Sequence, residues 1–362
     1  MSTSVNIGKV KQMRFRTISL LVVAVTFGLA QFPVTVPLTT SAAAPDSVST
    51  AKRIHHYVFF GMDREKISAA KSFLETPAFE GAQVAYSWRQ LEQGKDNYDF
   101  SEIREDLQFL QSHGKKLWIQ FQDVSFSPKR INVPKYLLND PKYNGGADQQ
   151  ISDRNGDDDH PVREGWAARR WDPAVQERMY KLFAALAKEF DGRIAGINTE
   201  ETSIGFGETG KLFPKGFTRD LYRNAVIANI RALKDAFAKS IVMVYANFMP
   251  GGRPYLEAVY KAARESNIAV GGPDVLPFRP FQRANSYPLI RASAGIVPTG
   301  LAVQDGNYGD VNPRTGKRAT IAELLKFATD DLKLDYMFWC TEEPYYSNEL
   351  IPFMQSTQNT AH

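Results

Sequence analysis

Two pairs of adjacent carboxylates stand where apolar runs break into polar residues: Glu200-Glu201 in IAGINTEETSIGF and Glu342-Glu343 in DYMFWCTEEPYYS. Carboxyls facing each other across a cleft can divide the work of hydrolysis. One keeps a proton for the leaving oxygen, while the other, ionised, attacks carbon or activates water. That is the chemistry of glycosidic bond cleavage. Glu201 is the favoured acid of the first pair, with Glu200 as its alternative. Glu343, or Asp305 in the run Gln304-Asp305-Gly306-Asn307, is the partner.

Other apolar runs also end in polar or aromatic residues. Tyr86 and Trp88 close one, and Gln120, Gln122 and Asp123 the next; Asn198 precedes the first acidic pair. Tyr245 and Asn247, Asp274, Gln304 and Trp339 close the later ones. Apolar sugar faces pack on aromatic rings, and sugar hydroxyls need amide and carboxylate partners. These residues are therefore the candidates for contact with a carbohydrate. Side chains alternate along a strand, so if Trp339 points into the cleft, Glu343 goes with it.

Positioning such groups requires a scaffold, and the chain spells one out. Strand-like runs fall at 56–62, 83–88, 116–121, 194–198, 241–246, 268–272, 299–303 and 336–339. Helix-like segments alternate with them at 64–75, 101–113, 173–190, 218–238, 254–266 and 321–332, with weaker ones at 283–292 and after Ser347. Asp172-Pro173 reads as an N-cap followed by proline in the first turn, and Gly114 as a helix stop. Eight strands alternating with helices predict an α/β fold, a single-domain (β/α)8 TIM barrel. In such a barrel the C-terminal ends of the strands form the active-site face. The long Gly-, Asp- and Pro-rich segment 127–171 follows the third strand and is expected to lie as a loop over that face.

Residues 1–44 read as a secretory signal peptide. Lys9, Lys11, Arg14 and Arg16 precede an uncharged stretch and then small residues at 40–44. The barrel domain then occupies 45–362, and the protein is expected to be secreted or periplasmic, with no stable membrane insertion. The formal charge of +4 owes much to that segment, which argues against a nucleic-acid partner. The single cysteine, Cys340, excludes an internal disulfide and reads as a core residue. The five histidines form no ligand pair at helical spacing. Gly205-Phe206-Gly207 lacks the rest of a phosphate loop, and no Gly-x-Ser-x-Gly elbow occurs. Neither metal nor cofactor is expected. Asp153 to Glu164 has partial calcium-loop spacing, but Asp158 and Pro161 stand at its sixth and ninth positions, and it reads as a solvated acidic loop.

One stretch is more specific. Tyr86-Ser87-Trp88-Arg89-Gln90-Leu91-Glu92, then Gly94 and Tyr98-Asp99-Phe100-Ser101, resembles the second-strand signature of clan A glycoside hydrolases, which are (β/α)8 barrels. Strand LWIQF and the run Arg170-Trp171-Asp172-Pro173 before strand four continue the resemblance, in which Glu92 is a structural residue. The resemblance implies an acid/base glutamate after strand four, a nucleophile on strand seven and retention of anomeric configuration. Two departures stand out: Thr199 separates Asn198 from Glu200, and Asp305 stands on strand seven in place of glutamate. The expected function is a secreted glycoside hydrolase acting on a poly- or oligosaccharide. The alternative is a glycan-binding barrel without catalysis, serving polysaccharide synthesis or export.

Overall fold

The computed structural model describes residues 53–151 and 158–359. The expected signal peptide and residues 153–157 of the acidic run lie outside the described residues.

Eight parallel strands close into a barrel: β1 (His55–Phe59), β2 (Phe79–Ser87), β3 (Lys116–Gln122), β4 (Gly196–Thr199), β5 (Ile241–Tyr245), β6 (Ala269–Pro273), β7 (Thr299–Val303) and β8 (Tyr336–Cys340). Each pairs with its neighbours in sequence, and β1 closes on β8. The eight-stranded parallel barrel read from the sequence is the one found. β4 therefore lies diametrically opposite β8 in strand order.

The outer helices follow the sequence reading closely. α1 (Ser101–Ser112), α2 (Pro173–Phe190), α3 (Arg219–Ala236) and α4 (Arg253–Glu265) are continuous, while α5 (Ser286–Ser293) is short. α6 (Ile321–Lys326) runs on through a π-helical turn to Asp331, and α7 (Ile351–Asn359) follows another at Tyr346–Leu350. The helix expected over 64–75 is broken into Arg64–Lys66 and Lys71–Glu75. The Arg64 guanidinium there turns to Asp106 on α1, at 2.8 Å to each carboxylate oxygen.

The segment 127–171 is not the plain loop expected. Ala147–Ile151 pairs antiparallel with Arg163–Ala168, whose other edge takes Val124–Ser125 just after β3. A short helix, Lys135–Asn139, precedes this sheet. These strands mix glycine, glutamine and charge instead of alternating cleanly, so hydrophobic period gave no signal for them. An isolated bridge from Ile151 to Phe206 joins the small sheet to the loop after β4.

Two apolar bodies result. One packs strands against helices, and the other fills the barrel axis with Tyr57, Trp118, Met243, Tyr245, Ala269, Ala302 and Phe338. Gly196 makes room for the largest of these, since a Cβ there would stand 2.8 Å from the Trp118 ring. The axial set fixes which face of each strand points inward. On β4 the inward residue is Asn198, level with Gln120 and Met243; on β8 it is Phe338, not Trp339.

Candidate active site

Polar side chains in the middle of a barrel strand cannot sit in the dry layer under the helices without cost, so they mark the axis. Gln83, Gln120 and Asn198 are all fully or almost fully buried. The Asn198 Oδ1 accepts from Gln83 Nε2 and from Trp118 Nε1, each at 2.9 Å. The other Gln83 amide hydrogen reaches the Tyr245 hydroxyl at 2.9 Å. This network is the floor of the mouth. It absorbs Asn198 and Tyr245 from the expected contact set, together with Gln83 and Trp118, which the sequence reading did not single out; Gln120 is buried at the same level with its Oε1 unpartnered.

Above the floor, β4 ends in Glu200 and Glu201, only 3% and 9% exposed. Burial pushes the Glu200 carboxyl up to about 7; the Glu201 backbone N–H opposes this, nearby Asp123 adds to it, and the Arg170 charge and Gln122 amide oppose it. Glu201 is pushed up to about 8, first by burial and then by Glu200, against a hydrogen bond from Asn247. That bond, Asn247 Nδ2 to Glu201 Oε2, is 2.6 Å long. The Glu200 Oε2 atom is buried with no partner. Burial thus favours the protonated form of both carboxyls, Glu201 the more, because a charge there would lose its water.

The loop carrying them is pinned from behind. Arg170 makes a two-pronged ion pair with Asp123 at 2.7 and 2.6 Å, and its third arm donates to the Glu201 carbonyl at 2.9 Å. The same nitrogen donates to the Tyr222 hydroxyl, which in turn donates to the Thr202 carbonyl, each at 3.0 Å. Arg170 stands two residues before the Asp172 cap of α2, whose carboxylate accepts from Ala174 N–H at 2.9 Å. A helix start thereby sets the position of the β4 loop. Arg170 and Tyr222 were not read as site residues from sequence; a buried arginine beside a helix cap was the available signal.

Asp274 follows β6 at a left-handed φ of 67°. Its two oxygens accept from Gln282 and Asn307, each at 2.8 Å, and its charge helps raise Glu201. The Asn307 side chain also accepts from the Gln304 backbone N–H at 3.1 Å, tying β6 to β7 at the mouth. Beyond β7 and β8, ligand-type atoms of Asp305, Cys340 and Glu342 lie within 4.8 Å of one another. Glu342 accepts from Gly306 N–H at 2.8 Å. Burial raises the Cys340 thiol strongly, so a metal would have to displace its proton before binding.

Four expected residues are placed elsewhere. Tyr86 points outward and donates to Asp106 at 2.5 Å. Trp88 is fully buried and donates to Glu92 at 2.8 Å, and Glu92 also pairs with Arg178 of α2. Trp339 lies in the strand–helix layer with its N–H on His56 at 3.1 Å. Glu343 is exposed and its carboxylate accepts from Ser347, 2.5 Å from the hydroxyl and 3.2 Å from the N–H. The alternation argument took the wrong anchor: with Phe338 on the axis, Glu342 is the acid that alternation puts on the same side. Strand β8 has no polar residue in its middle to reveal this.

In the acidic run, Asp158 caps the turn after β4, accepting from Glu208 N–H at 3.1 Å and Thr209 N–H at 2.9 Å. Glu164 lies in the strand Arg163–Ala168. Among the described residues no helix is long and apolar enough to cross a membrane.

No protein-family model matches the chain, and no curated protein matches it. Among solved structures it is similar to the catalytic domain of β-amylase from Paenibacillus polymyxa. The two share 11% identity at a TM-score of 0.58, over 86% of this chain and 99% of the other. At that identity the likeness speaks for architecture alone: the chain has a closed (β/α)8 barrel, the fold that the clan A resemblance implied.

Proposed function

We propose that the protein is a glycoside hydrolase acting on a poly- or oligosaccharide. The observation that carries this reading is the pair of buried carboxyls at the C-terminal end of β4, both raised by burial toward the neutral range. A general acid must keep its proton at the working pH and still lie within reach of a substrate oxygen. Glu201 is that acid in this reading, with Asn247 orienting its carboxyl and Glu200 beside it helping to keep it neutral.

The second carboxylate in this reading comes from the far side of the mouth, where Asp305 and Glu342 follow β7 and β8. Gln122, Asn247, Asp274 and Gln304 supply hydrogen-bonding groups for sugar hydroxyls around the rim. The clan resemblance carries retention as the expected stereochemistry, read from the first-formed anomer by NMR. Export follows from the charge and hydropathy pattern of residues 1–44, and fractionation of the producing cell tests it.

A panel of glycans assayed for new reducing ends is the primary test. Turnover by the native protein and its loss in Glu201→Gln, with sugar binding kept, supports the assignment. Full activity in Glu201→Gln rejects it. Binding without new reducing ends on any glycan favours a barrel that recognises polysaccharide without cutting it.

A further inference from the structure

Beside the acid pair, a cavity of about 420 Å³ opens between the loops after β4 and β5. Cavities of roughly 300–1,000 Å³ suit small ligands. Its accessible lining is mainly polar; of Phe206, Phe217, Phe248 and Met249 beside it, only Phe248 is more than slightly exposed, and Arg219 and Glu208 stand at its edge. The lining is continuous with the acids. Phe248 N–H donates to Asn247 Oδ1 at 2.9 Å, and the same Asn247 side chain holds Glu201. Thr202, the residue after Glu201, donates its hydroxyl to the Phe248 carbonyl at 2.7 Å.

Arg219 is prepared for a ligand. Its guanidinium lies over the Phe213 ring at 5.4 Å and donates through Nη2 to the Glu208 carbonyl at 3.0 Å. Those contacts fix its plane and leave its remaining N–H groups without an ion pair among the described residues. A planar guanidinium held in this way suits two-pronged recognition of a carboxylate. One partly exposed aromatic ring, polar backbone around it and a fixed cation at the rim match a sugar that has an apolar ring face, hydroxyls and a carboxylate at one edge.

We propose that this cavity is a subsite for a uronate unit of the glycan, with Phe248 against the ring and Arg219 on the carboxylate. The proposal rests on the glycan reading and narrows it to acidic polysaccharides. The Glu208 carboxylate, exposed at the same rim, opposes an anion and limits its affinity.

The test is an NMR titration of the full chain with D-glucuronate and, separately, with D-glucose. Glucuronate should bind about tenfold more tightly, an advantage that shrinks with added salt. Arg219→Gln should abolish the preference, Arg219→Lys should keep part of it, and Glu208→Gln should strengthen it. Equal affinity for the two sugars, or a preference that survives Arg219→Gln in a folded protein, overturns the proposal. The hydrolase reading is tested apart from this. Glu201→Gln should lose turnover and keep the glucuronate preference, and cleavage confined to neutral glycans would leave the hydrolase and sink the subsite.

Discussion

Replacing Glu201 by glutamine should stabilise the protein at alkaline pH while removing its activity. The native carboxyl takes its proton at about 8 against an ordinary value of 4.5. The folded state therefore binds the proton more tightly than the unfolded chain, and stability must fall as pH rises between those two values. Below 4.5 both states are protonated and nothing is lost; above 8 the whole penalty is present. At about 1.4 kcal/mol per tenfold displacement of the equilibrium, the ceiling is about 5 kcal/mol. Glu200 titrates beside it and shares the penalty, so about 2–3 kcal/mol is the expected gain for the single variant at pH 9. Glutamine keeps an oxygen to accept from Asn247, so the hydrogen bond at that position survives. For a chain of this size the gain corresponds to roughly 3–5 °C in Tm. Thermal unfolding of both proteins at pH 4.5 and pH 9 measures it. A Tm difference that does not depend on pH, or a variant less stable than the native chain at pH 9, would refute the argument that burial holds the proton.

Further expectations come from the neighbouring groups. With Glu201 as proton donor, kcat/KM should fall as pH rises through about 8, and a pH–rate profile on a cleaved glycan reads that limb. Asp123→Asn removes the ionised partner of Arg170 and leaves a buried positive charge, which should cost about 3–5 kcal/mol in denaturant unfolding and lower turnover by loosening the β4 loop. Glu343→Gln should keep turnover within about twofold and cost no more than about 1 kcal/mol, since the carboxylate only caps Ser347. Trp88→Phe leaves a buried Glu92 oxygen without its indole donor and should cost about 1–3 kcal/mol with KM for the glycan unchanged.

The barrel was legible because its signals are local. Each of the eight strands is a short apolar run, and α2 announces itself through Asp172 and Pro173, beginning where the sequence places it. The acids after β4 were legible for the same reason, as a polar break at the end of an apolar run. What local pattern could not supply was the inward face of each strand. On β4 the buried amide of Asn198 gives it away, whereas on β8 both Phe338 and Trp339 are large and apolar, and either could have faced the axis. The tie from Arg170 to Asp123 and the Glu201 carbonyl spans 31 to 47 positions of the chain. No spacing rule reports such a contact. The small sheet over 124–168 was missed because its strands are held by one another and by backbone pairing more than by a buried apolar stripe.

The axial rings have one more effect. Trp118, Tyr57 and Phe338 lie edge to face or tilted against each other, with ring centres 5.0–5.7 Å apart. They stopper the barrel between the mouth and the hollow at its opposite end, which His55, Glu80 and Lys116 line. Among the described residues the axis is therefore closed to through-passage, and a molecule that reached the carboxyl ends of the strands could not leave by the opposite end of the barrel.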